Sequence, residues 1–370
     1  MLVSRVLKAG DFMDLYDLTL GEFLIGLSRD VDLLLYSSET LKSPYLNERL
    51  GLTNDFALFI NRGKSKEKTI HIFLPFLPPN NNDGNFTFHE FAEFSSFLRN
   101  ICRDSLEIAL DFSRTKMSTV SSLEDILAKK LSFIDVSSVL DAYFSLKTEE
   151  EIRAVRKACA FTDRIFEQVC QKIKGFELDS EKAVFDFIKH EANKKSCQLA
   201  FNPIIANGQN SSFIHYPFYS KKLFKKGFLL LDFGLRCEGF CSDMTRMLYF
   251  GKPSAKERDD FEFVRAVKRK CISRADKQSS AKDFQGYAMS LFEEKGYDLK
   301  HGIAHGIGAF VHEPLFFLPS SLNRKGNVLA IEPGIYLDGK YGIRLEDTVL
   351  IKEGVERLTK SSDDLVVIER

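Results

Sequence analysis

At 370 residues the chain exceeds what one hydrophobic core usually organises, so two domains are expected. Its 52 Lys plus Arg balance 52 Asp plus Glu, and a formal net charge of zero leaves no basic footprint for nucleic acid or an anionic membrane; the expected partner is small. Met1-Leu2-Val3-Ser4-Arg5 lacks the apolar core of a signal peptide and no run of about 18 apolar residues occurs, so the expected location is cytoplasmic and no membrane contact is expected.

Over residues 1–145 short apolar runs alternate with helical patterns, the signature of an α/β layer. Strands are predicted at 31–36, 56–60, 69–74 and 106–112, with a charged turn beginning at Arg62-Gly63. Phe88, Phe91, Phe94, Leu98 and Ile101 recur at helical spacing, and Ser121 with Glu124 predicts a capping box ahead of another helix. The stretch 78–85 (PPNNNDGN) reads as a loop inside this domain. The domain boundary is placed near Ser145, giving domains 1–145 and 146–370. Thr148 with Glu151 predicts a capping box, and Ile152, Val155, Cys159, Phe166, Val169 and Ile173 mark one face of a long helix. A helix from Ser180 to about Lys195, one capped by Ser254 and Glu257, and one ended by Gly296 then alternate with apolar strands, an α+β pattern. The seven cysteines form no C-x-x-C pair and read as reduced, mostly buried thiols, with Cys237 and Cys241 as packing residues of a hairpin. The 34 phenylalanines, in a chain without tryptophan, read as core filling.

Four of the seven histidines fall between residues 215 and 312, close to apolar strands that carry carboxylates where packing alone would not place them. Asp232 ends the run Leu229-Leu230-Leu231, and after a turn at Glu238-Gly239 comes Asp243; the two strands can form a hairpin with both carboxylates side by side. The device repeats. Val328-Leu329-Ala330-Ile331 leads to Glu332, Asp338-Gly339 signals a hairpin turn, and the return strand is expected to carry Glu346. Neighbouring buried carboxylates would neutralise one another by taking up protons unless cations sit among them. Four carboxylates and one imidazole suit a pair of divalent ions, Mn²⁺ first with Co²⁺, Fe²⁺ or Zn²⁺ as alternatives, roughly 3.5–4 Å apart. His305, flanked by glycines, is the natural imidazole ligand, and His215 and His312 remain as hydrogen-bond donors for a reacting carbonyl.

Each residue has an ordinary explanation when taken singly. Asp232 and Glu332 could be turn residues, Asp243 with Arg246 or Arg344 with Glu346 could be structural ion pairs, and His215 or His312 could be satisfied core histidines. Their ordered conjunction defeats these readings. The motifs F-N-P-I-I-A-N-G (201–208), H-Y-P (215–217), L-D-F-G (231–234), S-D-M-T-R (242–246), H-x3-H-x6-H (301, 305, 312), I-E-P-G (331–334) and I-R-L-E-D (343–347) resemble, in order, those of the pita-bread metallopeptidases, the family of methionine aminopeptidase, aminopeptidase P and prolidase. Arg246, Tyr216-Pro217 and Arg344 are closer to the proline-peptidase branch; Ala304 departs from the glycine many relatives carry. Creatinases share the fold but lack the ligands kept here. The resemblance implies a C-terminal pita-bread (creatinase/aminopeptidase-like) domain with pseudo-two-fold symmetry, preceded by a smaller α/β creatinase-type N-terminal domain, and by analogy a homodimer.

It further implies a dinuclear exopeptidase acting on peptides with proline at position 2. Asp232 would chelate one metal, His305 and Glu332 would ligate the other, and Asp243 and Glu346 would bridge. A bridging hydroxide would attack the scissile carbonyl, with Glu332 taking the water's proton. His215 and His312 would stabilise the oxyanion and pass a proton to the leaving nitrogen, while His301 and Arg344 orient substrate or ligands. Aminopeptidase P and Xaa-Pro dipeptidase remain undivided at this point. A non-catalytic pita-bread module that binds peptide or protein is the alternative, and methionine aminopeptidase a lower one.

Overall fold

A computed structural model describes residues 32–37, 45, 56–60, 70–74, 82–83, 86–101, 105–127, 130–277, 280–315 and 326–369. The chain divides into two compact units, Met1–Phe144 and Ser145–Arg370.

The first unit carries a seven-stranded sheet built from β1 (Asp32–Ser37), β2 (Phe56–Ile60), β3 (Ile70–Leu74), β4 (Asn82–Asp83), β5 (Phe86–Glu90), β6 (Ser105–Leu110) and β7 (Lys130–Asp135), in the order β4-β5-β3-β2-β1-β6-β7. The pairs β3/β5, β1/β6 and β6/β7 are parallel. Helices α1 (Phe94–Ile101) and α2 (Met117–Leu127) pack Phe94, Leu98, Leu123 and Leu127 against Phe73, Ile108 and Leu110. Three expectations are corrected here. Phe88 lies in β5, because Phe86-Thr87-Phe88-His89-Glu90 alternates with period two and pairs with β3, so the helix begins only at Phe94. Ser121 is inside α2, which starts at Met117 after a turn closed on the Asp111 carbonyl, so it caps nothing. Asn82-Asp83 pairs with Phe86-Thr87 instead of remaining loop; the rest of 78–85 and the Arg62-Gly63 turn lie outside the described residues. α3 (Ser137–Ser145) leads toward the second unit in sequence.

In the second unit the four long helices begin where their caps dictate. Thr148 and Glu151 bond reciprocally at the start of α4 (Glu149–Lys174), Ser180 caps α5 (Glu181–Lys194), Ser254 and Glu257 form a second box ahead of α6 (Ala255–Arg274), and Ser280 caps α7 (Ala281–Glu293). Gly296, at φ +76°, takes the left-handed position just beyond α7. One sheet, in the order β20-β13-β10-β9, consists of β9 (Ile204–Asn207), β10 (Gly227–Asp232), β13 (Thr245–Phe250) and β20 (Val366–Ile368). Its counterpart, β14-β15-β18-β19, consists of β14 (Ala304–Gly306), β15 (Asn327–Ile331), β18 (Asp347–Lys352) and β19 (Gly354–Arg357).

The near-continuous apolar run of β10 has a direct cause. Leu229 and Leu231 pack with Ile165, Val169 and Ile188 of α4 and α5, whereas Phe228 and Leu230 pack with Phe261, Val264 and Phe284 of α6 and α7. Both faces are therefore buried, and each such side chain contributes roughly 1.5–3 kcal/mol.

Between the paired strands of each sheet sits a small insert. β11 (Leu235–Cys237) and β12 (Phe240–Cys241) lie between β10 and β13; β16 (Gly334–Leu337) and β17 (Tyr341–Arg344) lie between β15 and β18. β11 also pairs with β8 (Gln198–Leu199), which brings the Cα atoms of Cys197 and Cys237 to 4.7 Å in a disulfide. This overturns the expectation of uniformly reduced thiols: the two cysteines stand 40 residues apart in sequence and meet only through strand pairing. Cys159, Cys170, Cys241 and Cys271 are free. No described helix is long and apolar enough to cross a membrane.

Candidate active site

The two sheets deliver four carboxylates by the same device. Asp232 is the last residue of β10, opposite Thr245, and Asp243 stands between β12 and β13; the turn between β11 and β12 is Glu238 (φ 53°) and Gly239 (φ 85°). Glu332 follows β15, and Glu346 stands between β17 and β18 rather than on the return strand itself. Gly234 is required at this crossing: a Cβ there would lie 1.8 Å from the Ser242 carbonyl oxygen. His305 occupies the middle of β14, and a Cβ on the following Gly306 would come within 2.6 Å of the Pro314 carbonyl oxygen.

His305 Nε2 is the meeting point. It lies 3.7 Å from Asp243 Oδ2, 3.7 Å from Glu332 Oε1 and 3.8 Å from Glu346 Oε1. Ligand atoms of Asp243, His305 and Glu346 all fall within 4.8 Å of one another. The ring's Nδ1 is 3.0 Å from the Gly306 carbonyl; an Nδ1–H tautomer makes that a hydrogen bond and leaves the Nε2 lone pair facing the carboxylates. Burial pushes the His305 imidazole down to about 4, so it is neutral at pH 7.

Burial, reinforced by Glu346 and Asp232, holds the Asp243 carboxyl well above the usual range, and burial with Asp232 and Glu332 does the same for Glu346. Glu332 is raised to about 7 by burial, with Arg344 opposing and Asp232 adding. Protons would thus occupy the cluster unless a cation replaced them. Asp232 Oδ1 and Asp243 Oδ1 are buried and accept no hydrogen bond, although a buried carboxylate oxygen without a donor is costly. Oxygen-rich donors, one neutral imidazole and two orphaned oxygens fit divalent cations.

Asp232 is turned partly away from this group. Its Oδ2 meets Arg344 Nη2 at 2.5 Å. Arg344 is a hub: Nη1 donates to Tyr336 Oη at 2.7 Å and to the Ile214 carbonyl at 3.1 Å, and Nε to Thr245 Oγ1 at 3.3 Å. Thr245 Oγ1 in turn donates to Glu346 Oε2 at 2.7 Å. The ion pairs imagined from sequence are therefore rearranged, since Arg344 pairs with Asp232 rather than Glu346, and Arg246 with Asp347 rather than Asp243. His301 Nε2 contacts Tyr336 Oη at 2.9 Å and its Nδ1 is 3.9 Å from Glu332 Oε2; burial lowers this imidazole to about 4.

His312 is exposed, its ring 4.5 Å from that of His305 in an edge-on arrangement. The next residue, Glu313, anchors this loop through Lys147 at 3.0 Å and the Phe310 amide at 3.1 Å. His215 is also exposed. It is tied to the group through its neighbour Ile214, whose carbonyl accepts from Arg344. Sequence reasoning missed Tyr336 and Thr245 as site residues. Thr245 lies inside the S-D-M-T-R motif, which could have flagged it; nothing local marks Tyr336.

The model of metallopeptidase family M24 matches residues 153–353. The Xaa-Pro dipeptidase of Pyrococcus furiosus is 30% identical over 287 residues, spanning 75% of this chain and 80% of that one. Among solved structures, the Xaa-Pro dipeptidase of Bacillus anthracis matches with a TM-score of 0.76 at 21% identity, over 97% of this chain and 100% of its own. The X-Pro aminopeptidase of Thermotoga maritima matches with a TM-score of 0.72 at 23% identity, over 91% and 97%.

Proposed function

Since this chain belongs to metallopeptidase family M24 and has the pita-bread fold of its structural neighbours, we propose that it hydrolyses the bond before proline at the N-terminus of small peptides, using two divalent ions. The observation that carries this reading is the set of three carboxylates, Asp243, Glu332 and Glu346, within 3.8 Å of His305 Nε2, with buried orphaned oxygens on Asp243 and on neighbouring Asp232. The proline preference rests on the similarity to the Pyrococcus furiosus Xaa-Pro dipeptidase.

Asp232, Asp243, His305, Glu332 and Glu346 would hold the ions, with Mn²⁺ the first choice. When bound, such ions polarise a carbonyl and lower the pKa of water toward neutrality. Glu332, which follows β15 and lies 3.7 Å from His305 Nε2, would accept the proton of the attacking water. His312, its ring edge-on to that of His305, and His215, next to the Ile214 carbonyl that Arg344 holds, would donate to the developing oxyanion and pass a proton to the leaving nitrogen. Arg344, Tyr336 and His301 would fix the Asp232 and Glu332 side of the carboxylate group. Residues 1–145 are assigned as a creatinase-type N-terminal domain, and a homodimer is carried over by family analogy.

Hydrolysis of Ala-Pro beside Ala-Pro-Ala by the purified protein, metal-free and with added Mn²⁺, tests this. Metal-dependent cleavage of the tripeptide means an aminopeptidase, and cleavage of the dipeptide alone a dipeptidase. Metal-loaded, folded protein that cleaves neither overturns the reading in favour of a binding module or a methionine aminopeptidase.

A further inference from the structure

Behind the proposed ligand Glu346 lies a second, fully buried charge group that the proposed chemistry does not use. Asp347, with no exposed surface, receives Arg246 Nη2 on Oδ1 at 2.6 Å and Thr359 Oγ1 on the same oxygen at 2.8 Å. Its other oxygen, Oδ2, lies 2.5 Å from Lys268 Nζ, an ammonium on α6 that is itself fully buried. Lys268 also reaches Asp363 Oδ2 at 3.1 Å, while Arg265 and Arg269 hold Asp363 Oδ1, each at 3.1 Å. Arg246 connects this group to the carboxylate cluster. Its Nη1 donates to the Glu346 carbonyl at 2.5 Å and to the Thr245 carbonyl at 3.0 Å, joining the strand that follows Asp243 to the segment that carries Glu346.

We infer that Lys268 is a positioning residue for the metal centre: its ammonium holds Asp347, Asp347 holds Arg246, and Arg246 holds the spacing between Asp243 and Glu346. The inference rests on the proposal that those two carboxylates are ligands. Three features carry it. Lys268 is the cation that meets Asp347 Oδ2 among the described residues, so nothing there replaces it. Arg246 and Arg357 face one oxygen of Asp347, Arg265 and Arg269 face one oxygen of Asp363, and Lys268 is the cation among the described residues that meets the remaining oxygen of both, so its loss leaves Asp347 Oδ2 buried without a counter-charge. A cavity of about 420 Å³ borders Lys268, Asp347 and Asp363, so a truncated side chain would admit water to Asp347 instead of letting the core close over it.

The test compares full-length wild type, Lys268→Arg, Lys268→Met and the double variant Lys268→Gln with Asp363→Asn, titrating each metal-free protein with Mn²⁺ by calorimetry and recording its thermal unfolding. Lys268→Met removes one charge and is expected to unfold earlier, which alone would not separate a positioning role from a structural one. The double variant keeps Arg246 and Asp347 balanced and is expected to fold like wild type, yet to bind Mn²⁺ about 10–100-fold more weakly, the range typical for groups that orient ligands. Lys268→Arg is expected to restore affinity to within a few-fold. A folded double variant that binds Mn²⁺ as tightly as wild type overturns the inference, as does a double variant that cannot fold while Lys268→Met binds normally. Wild type that binds Mn²⁺ but cleaves no Xaa-Pro peptide would sink the substrate assignment and leave the Lys268 inference to be decided by the affinities. Wild type that binds no Mn²⁺ overturns both.

Discussion

Asp243 and Glu346 sit among other carboxylates with almost no exposure, an arrangement that only a compensating positive charge makes tenable in the ionised state. Replacing Asp243 by Ala removes a carboxylate 3.7 Å from His305 Nε2; we expect loss of Mn²⁺ binding in calorimetry and of metal-dependent peptide hydrolysis. Tyr336→Phe is the subtler change. It deletes the hydroxyl that accepts from Arg344 and contacts His301, so kcat/KM should fall about 10–100-fold while circular dichroism stays unchanged. An unchanged kcat/KM would remove Tyr336 from the machinery. At this scale the carboxylates were legible because an acid ending a run such as Leu229-Leu230-Leu231 contradicts packing. Tyr336 was not, because its role arises from a contact with Arg344 across the hairpin β16 and β17.

Elements were legible where local chemistry decides them. The capping boxes at Thr148 and Ser254 formed because both partners lie within one turn. Phe88 and Ser121 misled for the opposite reason: pairing with β3 and the earlier start of α2 are tertiary facts that override spacing. The Cys197 and Cys237 bridge was hidden likewise, since β8 and β11 must pair before the two sulfurs meet. Two outcomes follow for the insert between Asp232 and Asp243. Gly234→Ala would force a Cβ into the Ser242 carbonyl, displacing both flanking carboxylates; Mn²⁺ affinity should drop and the melting temperature with it, and a variant with wild-type affinity would show that the backbone relaxes freely. Replacing Cys197 and Cys237 together by Ala should cost roughly 2–4 kcal/mol more stability in urea unfolding under oxidising conditions than under strong reduction.

For the molecule as a whole, the raised carboxyls couple folding to protons and metal. Glu332 titrates at about 7 in the folded metal-free protein against 4.5 ordinarily, and Asp243 and Glu346 shift the same way. Between those pH values the folded carboxyls hold protons that the unfolded chain has released, so their trend is a loss of metal-free stability as pH rises from about 4.5 to 7, set against the opposite contribution of His301 and His305, which burial lowers to about 4. Saturating Mn²⁺ displaces those protons and should flatten or reverse the trend, with about 2.7 kcal/mol gained at a hundredfold excess over Kd. Thermal melts with and without Mn²⁺ across this range check it; parallel curves would mean that the carboxylates are not the ligands. The α+β repeat was readable from sequence because both halves use the same strand, acid, hairpin, acid, strand order. The seven-stranded order of the first unit was not, since its parallel pairs join segments far apart in the chain.

Each half of that repeat contributes two acids, one pair from β10 and the insert after it, the other from β15 and its own insert, with His305 joining from β14. Asp243 comes from the first half and His305 and Glu346 from the second, and their ligand atoms fall within 4.8 Å of one another, so the candidate metal group straddles the seam. The rate at which a chelator strips Mn²⁺ from the folded protein would then be a clock for the parting of two half-sheets, ticking at the frequency with which the seam between them opens.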